Sequence, residues 1–166
     1  MAGAIVQAVG TPGPSSATSQ SATIAASAAG NALINYSFIL ANTGPATITS
    51  SGSTWTPRYS DNLLNISSAQ PGATSTTSIL SSIGTASFQT MASMEVSGLK
   101  TGGNVYVSTS NLDAAGPDWV TNSISPTVPV FAMIFCAQAT TSGVSSTFGA
   151  GWTPITGMDW IEGLGR

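Results

Sequence analysis

The sequence predicts an all-β domain, a β-sandwich of the immunoglobulin-like or jelly-roll type with little helix. Segments rich in β-branched and aromatic residues recur at short intervals, bounded by Gly, Pro, Asn and Ser. Ser and Thr together supply 48 of the 166 residues, and small hydroxyl side chains suit strands and turns. With 42% hydrophobic residues, the chain fits one domain with a buried core, spanning 1–166. Whether residues 1–21 form an N-terminal arm or part of a sheet stays open.

The first third of the chain predicts three strands. Apolar residues alternate or cluster, bounded by turn signals, at 4–9, 18–25 and 32–40. The third segment is the most apolar, which is typical of a strand buried within a sheet. The dipeptide Gly30-Asn31 predicts the turn that precedes it.

The middle of the chain predicts further short strands. Their ranges are 46–51 and 54–60 on either side of Gly52, one short strand within 61–73, and 74–80 and 85–97 around a turn at 82–84. The last range admits a second interpretation. Phe88, Met91 and Met94 are spaced three apart, which also fits one or two helical turns.

The last third predicts strands around Val105, around Trp119 and over an apolar run at 130–138, followed by a loop at 139–151. Cys136 lies in that apolar run, which indicates a small buried side chain rather than a reactive thiol. In total the chain predicts about ten short strands at intervals of roughly 8–15 residues, the spacing of a sandwich, jelly roll or barrel.

Charge is scarce. Charged residues make up 5% of the chain and the net charge is −3. The cations are Arg58, Lys100 and Arg166, too few for a basic patch. Phosphate-driven nucleic-acid binding needs several clustered cations, and so does attraction to anionic membranes. We therefore expect no nucleic acid and no membrane as partners.

The sequence offers little for catalysis. It has no His, which excludes a Ser-His-Asp triad, a Cys-His pair and His-ligated zinc. Its six acidic residues form no recognisable pair. Asp113 and Asp118 could give two oxygens to calcium, which takes six to eight, so a turn is the better interpretation there. We expect no enzyme activity, no catalytic residues, no cofactor and no metal site.

The remaining motifs do not indicate a specific function. The N-terminus lacks a basic segment followed by an apolar one, as a signal sequence would have, so we expect a protein made in a cytoplasm and not exported by the usual route. Two glycosylation-type triplets begin at Asn35 and Asn65, and in a chain this rich in Ser and Thr they are interpreted as chance. The pattern Gly-x-x-Trp-Thr-Pro occurs at 52–57 and at 149–154, and predicts two strand starts that each bury a Trp beside an edge proline.

Aromatic residues at exposed strand positions could instead stack on sugars or contact another protein. Core packing is the competing interpretation for each. The candidate interaction surface consists of Trp55, Arg58, Tyr59, Trp119, Trp152 and Trp160.

Several segments carry a resemblance to a known group of proteins. They are 17–24, 29–34, 53–61, 94–99, 111–117 and 149–154. Together they resemble the immunoglobulin-like or jelly-roll β-sandwich of tailed-bacteriophage virion proteins, most closely a capsid decoration (cement) protein. These motifs mark strands and turns, so they assign no catalytic residue.

The resemblance implies a structural protein on the capsid surface of a virion. Its implied partners are the major capsid protein of the same virion and further copies of itself, as a homotrimer. Two alternatives stay open: a protein associated with the tail, baseplate or fibre, and a carbohydrate-binding module that uses surface Trp residues.

Overall fold

Every strand pairing in the described part of the chain is antiparallel. The computed structural model describes residues 3–11, 16–39, 45–70 and 75–99, and these contain eight strands and no helix. The strands are β1 (Ala4–Thr11), β2 (Ala17–Thr23), β3 (Ala32–Ile39), β4 (Thr47–Thr49), β5 (Thr56–Ser60), β6 (Leu64–Ala69), β7 (Ser78–Ser87) and β8 (Gln89–Ser97). The predicted all-β sandwich is confirmed.

The strands form two sheets. The five-stranded sheet has the order β1-β8-β3-β6-β5, and the three-stranded sheet has the order β2-β7-β4. Among the described strands, β1 thus pairs with β8, β2 with β7 and β3 with β6, a nested order like that of a jelly roll, whereas β5 joins β6 in the large sheet and does not pair with β4. In the immunoglobulin arrangement the first two strands are neighbours in one sheet, whereas here they lie in different sheets. Among the described strands, the nested pairing is closer to that of a jelly roll than to that of an immunoglobulin domain.

The turn predicted at 82–84 is wrong. β7 continues from Ser78 to Ser87, because Ser82 pairs with β2 on one side and with β4 on the other; the register with β2 shifts between Ser82 and Ser87. Gly84 is not among the glycines with positive φ, and a Cβ placed there would meet nothing within 4 Å. The helical interpretation of the segment from Phe88 is also wrong, because β8 lies between β1 and β3 in the large sheet.

The N-terminal segment contributes to both sheets. Ala4–Thr11 pairs with β8, and Ala17–Thr23 pairs with β7. At the other end, every prediction beyond residue 99 lies outside the described residues. These include the later strands, Cys136, the Asp113 to Asp118 turn, and Trp119, Trp152 and Trp160.

An apolar cluster lies between the two sheets. Side chains from both sheets meet there. The cluster comprises Ala22, Ile24, Leu33, Ile48, Ala69, Ile79 and Met91, with Val9, Ala46 and Trp55 packed at its margin. Burial of such side chains from water, at about 25 cal/mol per Å², is the main source of stability.

The opposite face of the five-stranded sheet is apolar as well. Ile34, Met94 and Val96 form a second buried cluster on it, with Ile5 and Leu99 among the partly buried residues packed around them. β3 and β8 are consequently buried on both faces. Side chains alternate between faces along a strand, so the polar residues between these apolar ones point into the space between the sheets.

Candidate functional site

Two Asn-x-Ser triplets face each other in the large sheet. Asn35 on β3 lies opposite Ser67 on β6. Two residues along, Ser37 lies opposite Asn65, so the pairing is reciprocal. Both asparagines are buried, at 0% and 1% exposure, and neither could carry a glycan in the folded chain. The triplets interpreted as chance therefore have a structural role that the sequence analysis missed.

These residues begin a hydrogen-bonded network. The Asn35 amide donates to Ser93 Oγ at 2.9 Å, and Ser37 Oγ lies 2.8 Å from Asn35 Oδ1. The Ser60 hydroxyl donates to Asn65 Oδ1 at 2.6 Å. Buried polar groups need such partners, because leaving one unpaired costs about 1–3 kcal/mol.

The network crosses from one sheet to the other. Ser37 Oγ lies 3.2 Å from Ser81 Oγ on β7, and Ser81 Oγ lies 3.2 Å from Gln89 Oε1 on β8. Gln20 on β2 donates through Nε2 to the backbone oxygen of Thr11 at 2.7 Å. We call this set the polar layer; its members are Gln20, Asn35, Ser37, Asn65, Ser81, Gln89 and Ser93. The layer fixes the two sheets relative to each other by directional contacts.

A buried carboxylate lies on the same inner face of β8. Glu95 is 1% exposed and accepts hydrogen bonds from Gln7 Nε2 at 2.6 Å, from the Ala28 backbone N–H at 2.8 Å and from Asn31 Nδ2 at 2.6 Å. Burial raises the pKa of Glu95, but the three donors outweigh burial and hold the pKa below its ordinary value. Glu95 is therefore ionised, and its carboxylate holds the β2–β3 connection against the large sheet.

Gln7 extends this contact to the sheet edge. Its Nε2 donates to the Ala25 backbone oxygen at 2.9 Å, and its Oε1 accepts from the Ala25 N–H at 2.7 Å. The side-chain amide thus pairs with a backbone amide as a neighbouring strand would. This bridge joins the first edge strand of the large sheet to the chain that leaves β2.

A second carboxylate organises the turn between β5 and β6. Asp61 accepts from the Tyr59 hydroxyl at 2.6 Å and from the backbone N–H groups of Leu63 at 2.7 Å and Leu64 at 2.6 Å. Burial raises the pKa of Asp61, but these donors outweigh it and the net pKa is lowered. The hydrogen bond to Asp61 raises the pKa of Tyr59 in turn, with smaller contributions from burial and from the Asp61 charge.

The described members of the candidate interaction surface have structural partners. Trp55 is half-buried against the inter-sheet core, and its indole N–H donates to Ser50 Oγ at 2.9 Å. Arg58 lies at the β-bulge between Pro57 and Tyr59, and its Nε donates to Ser68 Oγ at 2.8 Å. The recurrent motif is thus confirmed at its first copy, where a packed Trp precedes a proline on an edge strand.

Among the described members, Trp55 and Tyr59 do not share one surface. Trp55 packs toward the core between the sheets. Tyr59 lies opposite Ile66, on the outer face of the large sheet. Trp119, Trp152 and Trp160 lie outside the described residues.

The outer face of the three-stranded sheet carries no charge. Its members are Ser19, Ser21, Thr23, Thr47, Thr49, Ser78, Leu80 and Ser82, which we call the hydroxyl face. All but the half-buried Ser82 are exposed. Leu80, 37% exposed and at the centre, is one of two exposed large hydrophobic residues in the described part of the chain; the other is Val6, at 52% on β1. The sequence signal for this face is the alternation of Ser and Thr along β2 and β4.

Within the described ranges, no three potential metal ligands lie together, and no helix is long and apolar enough to cross a membrane. Asp61 and Glu95, the two carboxylates there, are each held by a separate set of neutral donors. Their hydrogen bonds stabilise the β2–β3 connection and the β5–β6 turn. No family model, curated protein or solved structure matches the chain.

Proposed function

We propose that this chain is a structural virion protein, a capsid decoration protein that binds the shell of the major capsid protein and stabilises the head. The hydroxyl face carries the proposal. It is a broad, exposed sheet surface without a charged side chain, centred on Leu80. The jelly-roll order supports it, because viral capsid proteins use this architecture, although a fold alone does not determine function.

Burying a surface of this kind in an interface has a small free-energy cost. Ser and Thr side chains lose little rotamer entropy when they are ordered. No ion has to leave water, so the desolvation penalty of a buried charge does not arise. Binding through the hydroxyl face should therefore depend weakly on salt.

Such a surface binds weakly through any single copy. Ser and Thr are seldom the residues that dominate the energy of an interface. A homotrimer offers three copies of the face to a symmetric shell, and linked sites raise the overall affinity without new contacts. We therefore propose that the protein acts as a trimer on the capsid surface.

The molar mass in solution tests the oligomer. Light scattering at low and at high salt should give the mass of a trimer under both conditions. A monomer under both conditions would contradict the decoration mechanism and favour the tail-associated or sugar-binding alternatives.

Co-sedimentation with shells of the major capsid protein tests the face. Leu80→Asp places a charge at the centre of the hydroxyl face and should strongly reduce the bound fraction. Val6→Asp is the control, since Val6 is the other exposed large apolar residue of the described region and lies on β1, outside the hydroxyl face. If both variants and the unaltered protein gave the same bound fraction, the hydroxyl face would not be the capsid-binding surface.

A further inference from the structure

Three buried carboxamides in the polar layer each keep one polar atom without a partner. The atoms are Gln20 Oε1, Asn65 Nδ2 and Gln89 Nε2. Their residues are only 6%, 1% and 0% exposed, respectively. Buried polar groups in native proteins are almost always hydrogen-bonded, to protein or to ordered water. Three such atoms in one layer call for a common explanation.

All three residues adjoin the contact between Ser37 and Ser81. Gln89 is bonded to Ser81 through Oε1. Gln20 is the register partner of Ser81 in the three-stranded sheet. Asn65 is the register partner of Ser37 in the five-stranded sheet. The unpartnered atoms therefore belong to residues that neighbour the Ser37–Ser81 contact between the sheets.

Rotating the amides by half a turn does not remove the deficit. Gln20 Nε2 donates to the carbonyl oxygen of Thr11, which can only accept, so the orientation of Gln20 is fixed. Asn65 and Gln89 each contact a hydroxyl through their oxygen. Exchanging oxygen and nitrogen would give that contact to the nitrogen and leave the oxygen without a partner.

We propose that the polar layer contains a hydration site, with at least one ordered water molecule bound between the sheets beside Ser37 and Ser81. The missing partners are an acceptor for two N–H groups and a donor for one carbonyl oxygen. A water molecule accepts two hydrogen bonds and donates two, which matches this set. An anion could not serve Gln20 Oε1, and a cation could not serve the two N–H groups.

The site is independent of the proposed virion role. Water that bridges the sheets satisfies groups that would otherwise each cost stability, and it lets a polar interior pack without direct amide contacts. It explains how the described part of the sandwich accommodates four buried carboxamides, namely those of Gln20, Asn35, Asn65 and Gln89.

A high-resolution crystal structure of the whole chain tests the proposal. We expect water density within about 3.2 Å of Gln89 Nε2 or Asn65 Nδ2 in every copy. Direct pairing of Gln89 Nε2 with Gln20 Oε1, or a dry layer with these atoms still unpaired, would overturn the hydration site.

Magnetic resonance gives a second measurement in solution. Cross-peaks between long-lived water and the Gln89 side-chain amide are expected in the unaltered protein. In Gln89→Met, which keeps the side-chain length but removes the amide, the water contacts of Asn65 should weaken or disappear. Thr77→Val removes one exposed hydroxyl and is the control that should keep every cross-peak. Absence of water contacts in the unaltered protein would contradict the proposal even if Gln89→Met failed to fold.

Discussion

The hydroxyl oxygens of Ser37 and Ser81 lie 3.2 Å apart across the sandwich, one on each sheet. Ser37 Oγ is also 2.8 Å from Asn35 Oδ1, and its single hydrogen can serve one acceptor at a time. The contact therefore belongs to a network in which each member orients the next. It shows that the two sheets are aligned by polar contacts as well as by apolar packing.

Ser37→Ala should destabilise the protein by about 1–3 kcal/mol, because it leaves buried acceptors without a donor. Urea unfolding measures the change. Ser21→Ala, at an exposed position on β2, should stay within about 0.5 kcal/mol of the unaltered protein. If Ser37→Ala and Ser81→Ala were additive in the double variant, the two hydroxyls would not be coupled.

Glu95→Gln should destabilise the protein by roughly 2 kcal/mol at neutral pH, because one carboxylate oxygen that accepts is replaced by an amide that donates. The folded-state pKa of Glu95 lies below the ordinary value, so its charge contributes stability above that value. The contribution is lost as the pH falls through the folded-state pKa.

Unfolding free energies measured from pH 7 down to pH 2 should therefore converge for Glu95→Gln and the unaltered protein on the acid side. Asp61→Asn is the comparison, because the pKa of Asp61 is also lowered but its side chain is exposed. A constant difference between Glu95→Gln and the unaltered protein at all pH values would contradict the role of the Glu95 charge.

Tyr59→Phe should raise the pKa of Asp61, because it removes one of the hydrogen bonds that favour the carboxylate. The N–H groups of Leu63 and Leu64 remain, so the turn should persist with little loss of stability. Titration of the Asp61 carboxyl carbon by magnetic resonance measures the shift. An unchanged pKa would mean that the Tyr59 hydroxyl faces solvent.

Trp55→Ala should destabilise the protein by about 2 kcal/mol, less than the 3–5 kcal/mol typical of a fully buried Trp, because Trp55 is half-buried. Trp55→Phe should lose less, since it keeps an aromatic ring against the core and removes only the bond to Ser50. Unfolding followed by circular dichroism checks both. Unchanged stability of Trp55→Ala together with lost glycan binding would instead support the sugar-binding alternative.

The sequence predicted most strands of the described region because their signals are local. The strand pair around Gly52 follows from a turn glycine, which indeed has a φ of 73°. The turn at 82–84 was wrong for the opposite reason, since pairing with Ser19 of β2 and Thr47 of β4 holds Ser82 in a strand. A local sequence pattern does not show which distant strand a segment will pair with.

The polar layer and the Glu95 contacts could not be predicted for a related reason. Glu95 meets Gln7, Ala28 and Asn31, which lie 88, 67 and 64 residues away in sequence. Along β3, every second residue is apolar, and the sequence alone would place that set of residues on the face between the sheets. Asn35 and Ser37 lie on that face instead, and both sets are buried because the strand is covered on both sides. The repeated Asn-x-Ser triplets were the one available clue.

The nested strand order has a consequence for synthesis on the ribosome. β1 ends at Thr11, but its partner in the sheet, β8, begins only at Gln89. At roughly 5–20 residues per second, translation leaves β1 without that partner for about 4–16 s. The nascent chain thus has unpaired strand edges during that interval, and the polar side chains that will become buried keep it hydrated until β8 has been made.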